Sequence, residues 1–147
     1  GSCWGLQVLV TACGGKISKS KKPEFGFSPN IFIKFDNYIF DNKSDGFTAP
    51  GHHYDVIEKM PSNFSILAEN DVSIQAIASK DSNIVCTQYH PELPYDFIGK
   101  LMLYWKKNYL NEMLENEFMD LINQLKILES KNSYQRELEL TNWMSNL

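Results

Sequence analysis

The sequence predicts an α/β fold, and three observations carry that expectation. The apolar run WGLQVLVTAC (4–13) stops at once on Gly14-Gly15, which reads as a helix closed by glycine. The middle of the chain is filled by short β-branched and aromatic segments separated by turn residues. After His90-Pro91-Glu92-Leu93 the apolar residues switch to helical spacing.

Taken in order, the first helix is expected to be buried, because Leu6, Val8, Leu9, Val10, Ala12 and Cys13 make it apolar nearly all round. The basic cluster KISKSKK (16–22) reads as a solvated turn. IFIKFDNYIF (31–40) predicts strand pairing around a turn near Asp36–Asn37, and DNKSDGF (41–47) has turn chemistry. FTAPGHHYDVIEKMPSNF (47–64) reads as a loop or short strand leading to a break at Met60-Pro61. SILAEND, SIQAIAS and NIVCTQYH predict three short strands, with NDV and SKDSN as the turns between them. The last of the three is the most continuously apolar and suits a central strand. Beyond it, Phe97, Ile98, Leu101, Met102 and Trp105 form one helical stripe. Leu110, Met113, Leu114, Phe118, Leu121, Ile122 and Leu125 form a second. A final helix is expected in YQRELELTNWMSNL, packing through Leu138, Trp143 and Met144.

Composition narrows the function classes. A chain of 147 residues with 43% hydrophobic content suits one domain with its own core. A net charge of −4 gives no electrostatic reason to expect nucleic acid as a partner. The apolar stretches are shorter than the ~20 residues of a membrane span, so no membrane partner is expected. The cysteines Cys3, Cys13 and Cys86 are an odd set without framework spacing, which points to free thiols in a reducing, cytoplasmic compartment. No metal is expected, since the cysteines and His52, His53 and His90 contain no C-x₂₋₄-C or H-x₃₋₅-H pair. There is no phosphate-binding G-x-x-x-x-G-K-[ST] loop, and no cofactor is expected.

Cys3, His90 and Glu92 carry the chemistry. The thiolate is the nucleophilic form of cysteine, and a helix N-terminus favours it through unsatisfied N–H groups and the helix dipole. A thiol that attacks a carbonyl also needs a base able to protonate a nitrogen leaving group, most often histidine oriented by a carboxylate. His90-Pro91-Glu92 supplies both, two residues apart, after a predicted strand, where open α/β sheets place their sites. GSCW also matches most of a papain-like signature. That family's histidine lies over a hundred residues beyond its cysteine, whereas the last histidine here, His90, follows Cys3 by 87.

Gly1-Ser2-Cys3-Trp4-Gly5-Leu6-Gln7 resembles the G-x-C-x-G-x-Q nucleophile elbow of class I, triad-type glutamine amidotransferases, and Tyr89-His90-Pro91-Glu92 resembles their closing H-P-E. His53-Tyr54-Asp55-Val56 with Met60-Pro61 resembles the segment between, and Arg136-Glu137 and Asn142-Trp143 resemble the helical end of the GMP-synthase-like stand-alone group. The resemblance implies that Cys3 attacks the glutamine side-chain amide, forming a γ-glutamyl thioester and releasing ammonia. His90 would act as base and acid, with Glu92 orienting it. The Trp4 N–H would serve the oxyanion hole, Gln7 would contact bound glutamine, and the stretch with His53 and Tyr54 would line the pocket largely through backbone groups.

The implied fold is a doubly wound, flavodoxin-like domain that lacks its N-terminal strands and carries a helical tail. Residues 1–92 form the catalytic α/β part and 93–147 the tail. On that resemblance the chain is expected to be the C-terminal portion of the domain, inactive and unstable alone. Glutamine is the implied substrate, with an ammonia-accepting synthetase on a separate chain as the implied partner. Two other outcomes stay open: hydrolysis of γ-glutamyl amides or peptides on the same fold, and a non-catalytic remnant that binds a partner.

Overall fold

A computed structural model describes residues 1–81 and 83–146. Among the described residues seven strands follow one helix at the start of the chain and precede three at its end. They are β1 (Lys16–Glu24), β2 (Phe27–Ile33), β3 (Phe47–Pro50), β4 (His53–Lys59), β5 (Phe64–Glu69), β6 (Ile74–Ser79) and β7 (Val85–Thr87). The helices are α1 (Trp4–Ala12), α2 (Tyr95–Tyr104), α3 (Lys106–Tyr109) and α4 (Glu115–Ser145).

α1 forms where the apolar run predicts it, but it is half-covered rather than buried. Leu6 and Val10 are enclosed, while Trp4 is 74% exposed and Val8 also faces outward. Gly15 lets the chain leave the helix against β4: a Cβ there would lie 2.7 Å from the carbonyl oxygen of Lys59.

The basic cluster is a strand, not a solvated turn. β1 pairs antiparallel with β4, in a register that sets Ile17 beside Ile57 and Lys19 beside Asp55. The segment 47–64, read as mostly loop, supplies both β3 and β4. The 31–40 hairpin does not form. β2 ends at Ile33, whose N–H donates to Asp45 Oδ1 at 2.8 Å, and residues 38–40 close a 3₁₀ turn capped by Asn37 Oδ1 on the Ile39 N–H. The expected turn at 79–83 includes residue 82, which lies outside the described residues, as does Leu147 at the end of the last predicted helix.

The main sheet has the order β3-β2-β5-β6-β7, every pair antiparallel. Beyond β7 a parallel bridge joins Thr87 to Ser2. Thus β7 closes the named sheet but has neighbours on both sides. Alternation along the strands feeds two cores. Ile77 and Cys86 pack with Leu6 and Val10 of α1, whereas Ala76, Ala78 and Tyr89 face the other side with Ile31, Ile39, Phe40 and Phe47.

After Pro94 the chain is helical. α2 buries Tyr95, Ile98, Gly99 and Met102, while Phe97 and Trp105 of the predicted stripe are exposed. The second stripe from Phe118 onward and the last helix are one continuous element, α4, with 31 residues, whereas Leu110, Met113 and Leu114 precede it, Leu110 at the C-cap of α3 and Leu114 at the N-cap of α4. Its first half packs Phe118, Ile122 and Leu125 against α2. Its second half buries Leu138, Arg136 and Glu139, and leaves Trp143 and Met144 outward. The two charges are buried because both reach the segment around His90.

Candidate active site

Two chain segments meet beyond β7. Gly1–Cys3 runs beside it as a short parallel ladder: Thr87 N–H donates to Gly1 O at 2.9 Å and Cys3 N–H to Thr87 O at 2.7 Å. On the other side the chain leaves β7 through Gln88 and Tyr89 into His90. Neighbouring strands lie about 4.8 Å apart, so the ladder brings Cys3 and His90 into one place although they are far apart in sequence.

Cys3 sits at the cap of α1 with φ 46° and ψ −103°, a backbone conformation that non-glycine residues rarely adopt. This is a sharp strand-to-helix turn that holds the sulfur outside the regular helix. Sγ lies 3.8 Å from the carbonyl oxygen of His52 and 3.7 Å from Nε2 of Gln88. The following residue, Trp4, is the first of the helix, so its N–H has no intrahelical acceptor.

His90 is anchored through its backbone: its N–H donates to Pro50 O at 2.7 Å. Its Nδ1 lies 2.6 Å from Glu92 Oε1, which also accepts a hydrogen bond from Ser2 Oγ at 2.8 Å. Burial works against the charged imidazole, but side-chain hydrogen bonds to Cys3 and Glu92 and the charges of both outweigh it, pushing the His90 pKa up to about 9. Burial likewise opposes the Glu92 carboxylate, yet the bonds from His90, its own backbone N–H and Ser2 hold its pKa below the usual value. With Nδ1 committed to Glu92, Nε2 is the ring nitrogen left for the sulfur. A thiol, an imidazole and a carboxylate therefore stand in sequence, an arrangement chemically suited to acyl transfer from an amide.

The segment facing Cys3 is Pro50–Tyr54. Gly51 permits it to approach β2, since a Cβ there would collide with Ser28 Oγ and lie 3.1 Å from Ser28 N. His52 presents its carbonyl to the sulfur, and its ring packs among Phe25 and Tyr109 with Tyr109 Oη 3.2 Å from Nε2. Burial, then the charges of His53 and His90, lower its pKa to about 4, so the ring is neutral at pH 7. His53 turns the other way. Its ring is buried, with Nε2 2.9 Å from Glu24 Oε2, an ion-pair contact without good hydrogen-bond alignment. Glu24 also accepts from Asn70 Nδ2 at 2.8 Å and Gln75 Nε2 at 2.6 Å, which ties β1, β4 and β6 together. The His53 side chain is thus spent on the fold. Tyr54 is exposed and packs edge-on against Phe25. Gln7 donates to Asp55 O at 3.3 Å, and with Trp4, Val8 and Thr11 it lines a shallow groove of about 440 Å³ on α1.

Gln88 and Glu139 lay outside the sequence reading, and Arg136 entered it only as part of the helical-end resemblance. Gln88, two residues before His90, is fully enclosed and reaches Sγ. Its spacing, on the same side of an extended chain as His90, was the available signal. Glu139 of α4 accepts from Tyr89 Oη at 2.7 Å and pairs with buried Lys43 at 2.7 Å. Arg136 donates through Nη1 to Pro91 O at 3.0 Å. Tyr89 and Pro91 flank His90, so α4 grips the chain on both sides of it. Charges on a helix read as solvated, and no sequence signal marks these as buried.

Residues 1–106 match the glutamine amidotransferase class-I family model. The glutamine-hydrolyzing GMP synthase of Borrelia garinii is 34% identical over 118 residues, which cover 80% of this chain and 22% of that protein. A subunit of the glutamine-hydrolyzing GMP synthase of Methanococcus maripaludis is 33% identical over 104 residues, 70% of this chain and 54% of that protein. The chain therefore spans little more than half of the Methanococcus protein and a smaller share of the longer synthase. Among solved structures, a putative GMP synthase subunit from Thermoplasma acidophilum superposes with a TM-score of 0.61 at 27% identity, over 74% of this chain and 59% of that one. A glutamine amidotransferase from Methylobacillus flagellatus superposes with a TM-score of 0.79 over all of this chain and 62% of that one; at 16% identity this is a likeness of fold. Among the described residues no helix is long and apolar enough to cross a membrane.

Proposed function

The chain belongs to the class I glutamine amidotransferase family, and from that premise we propose that Cys3, His90 and Glu92 form its hydrolytic triad. The activity is proposed for the amidotransferase domain of which this chain forms the matched portion. The observation that carries the reading is the run of contacts from Cys3 through His90 to Glu92, with Nδ1 and Oε1 2.6 Å apart.

In this reading the Cys3 sulfur attacks the γ-carbonyl carbon of glutamine while its proton resides on His90. The carbonyl oxygen takes up negative charge, and the Trp4 N–H, at the helix start with no intrahelical acceptor, is the proposed donor to it. His90 gives its proton to the departing nitrogen, so ammonia leaves and a γ-glutamyl thioester remains. Water, deprotonated by the same imidazole, then releases glutamate and restores the thiol. Glu92 keeps Nδ1 protonated and turned toward it, and Ser2 steadies Glu92. Gln7 and the backbone of His53–Tyr54 are the proposed contacts for the rest of the substrate. By analogy with the glutamine-hydrolyzing synthases it resembles, the ammonia would pass to an amination partner on a separate polypeptide.

The test is selective labelling of the purified protein by a glutamine-analogue electrophile. Cys13 is exposed and Cys86 buried, so exposure alone would favour Cys13. Faster modification of Cys3 than of Cys13, blocked by glutamine, is expected. Labelling of Cys13 at an equal or greater rate would refute the assignment.

A further inference from the structure

Building on the reading of Cys3 as nucleophile, we propose that Gln88 is a further catalytic residue, whose side-chain N–H holds the sulfur in its charged form. Its Nε2 lies 3.7 Å from Sγ, within reach of a large, polarisable acceptor.

The backbone aims the side chain there. Gln88 N–H donates to Gln75 O at 2.8 Å, which extends the pairing with β6 one residue past the named end of β7. Alternation then turns Gln88 and His90 to one side, toward Cys3, and Tyr89 to the other, into the core beneath α4.

Nothing else in its surroundings accounts for a glutamine here. The side chain has no solvent exposure. Its oxygen, Oε1, has no hydrogen-bond partner among the described residues, and its nitrogen has the sulfur. A buried carboxamide with an unpaired acceptor is unfavourable beside an apolar residue of the same shape, so its presence calls for a reason.

The surroundings of the sulfur supply that reason. Sγ has one backbone acceptor, the carbonyl of His52 at 3.8 Å, and one side-chain amide donor, Gln88 Nε2. A thiol can donate to His52 O. Once the proton has moved to His90 the sulfur accepts only, and the Gln88 N–H is the contact that improves. The pair of contacts therefore serves the two protonation states in turn, and Gln88 serves the reactive one. Of the titratable groups, His90 hydrogen-bonds with this sulfur, Glu92 bonds His90, and the neutral His52 ring belongs to the residue whose carbonyl faces it.

The experiment uses Gln88→Met, which keeps length and removes both polar atoms. Cys3 alkylation by iodoacetamide is followed across pH by peptide mass mapping, with Cys13 as the internal reference. Loss of one such hydrogen bond is expected to slow Cys3 labelling about three- to tenfold near neutral pH. The profile should move to higher pH while the Cys13 rate is unchanged. With glutamine as substrate, kcat should fall and KM stay. An unaltered Cys3 profile in the folded variant would overturn the proposal. If the variant does not fold, the native protein decides. The side-chain ¹⁵N–¹H signals of Gln88 should shift over the pH range in which His90 titrates, and signals that stay fixed would overturn the assignment. Because labelling and resonance read the sulfur directly, they hold their meaning even if glutamine proves not to be hydrolysed.

Discussion

Replacing Cys3 with alanine and, separately, with glycine tests whether the turn at the nucleophile is strained. Both substitutions remove Sγ and its contacts with His52 and Gln88, so the difference between them isolates the backbone. At φ 46° and ψ −103° a side chain costs about 1–3 kcal/mol. Glycine avoids that cost but loses about 0.4–1 kcal/mol through the greater freedom of the unfolded chain. The glycine variant should therefore be more stable than the alanine variant by roughly 1–2 kcal/mol, the balance of the two effects. For a domain of this size each kcal/mol is worth about 2–4 °C in melting temperature. Urea titrations of the two variants, compared at equal m-value, give the difference directly. If the alanine variant is as stable as the glycine variant or more so, the turn is not strained and the argument fails.

Two further outcomes follow from the charges around the site. The His90 ring should titrate near pH 9 by NMR, and Glu92→Gln should lower that midpoint. Because the folded value is raised above the ordinary one, the stability it contributes is complete below about pH 6.5 and is lost as pH rises through about 9. An ordinary midpoint for His90 would refute the contacts assigned to it. Lys43→Met should cost about 3–5 kcal/mol, because it strands the Glu139 carboxylate in a buried position. Adding Glu139→Leu should recover part of that loss, as a double-mutant cycle in urea would show; strictly additive losses would refute the coupling.

Much of the site was legible because its chemistry is local in sequence. The elbow and the H-P-E each fit within a few residues, and their order excluded the papain-like alternative. The fold was legible where a segment's pattern matched its surroundings. Phe64–Glu69 and Ile74–Ser79 are strands because their apolar residues serve cores on both faces. It was hidden where partners were remote. Lys16–Glu24 has the composition of a turn, yet β4 gives its backbone a ladder and leaves its lysines in water. Residues 31–40 have the composition of a hairpin, yet Asp45 and Asn37 take the N–H groups that a second strand would use. The second stripe ends at Leu125 and the last predicted helix begins at Tyr134, yet one helix runs through the stretch between them. The buried Glu24, Arg136 and Glu139 belong with these cases, because their partners lie on other elements.

The ladder between Gly1–Cys3 and β7 has a consequence for how the chain between them can vary. Cys3 and His90 are positioned by two hydrogen bonds to Thr87 or from it, and by the two residues, Gln88 and Tyr89, that separate Thr87 from His90. The distance between Cys3 and His90 is thus set by backbone bonding across adjacent strands, and the intervening chain does not measure it. Residues 71–73 lie between β5 and β6, away from that junction, so lengthening this turn would leave Cys3 and His90 in register. Shortening Gln88-Tyr89 by one residue would not, since it would turn His90 to the opposite face. Tolerance to insertion and intolerance to deletion are therefore divided along this chain by distance from Thr87.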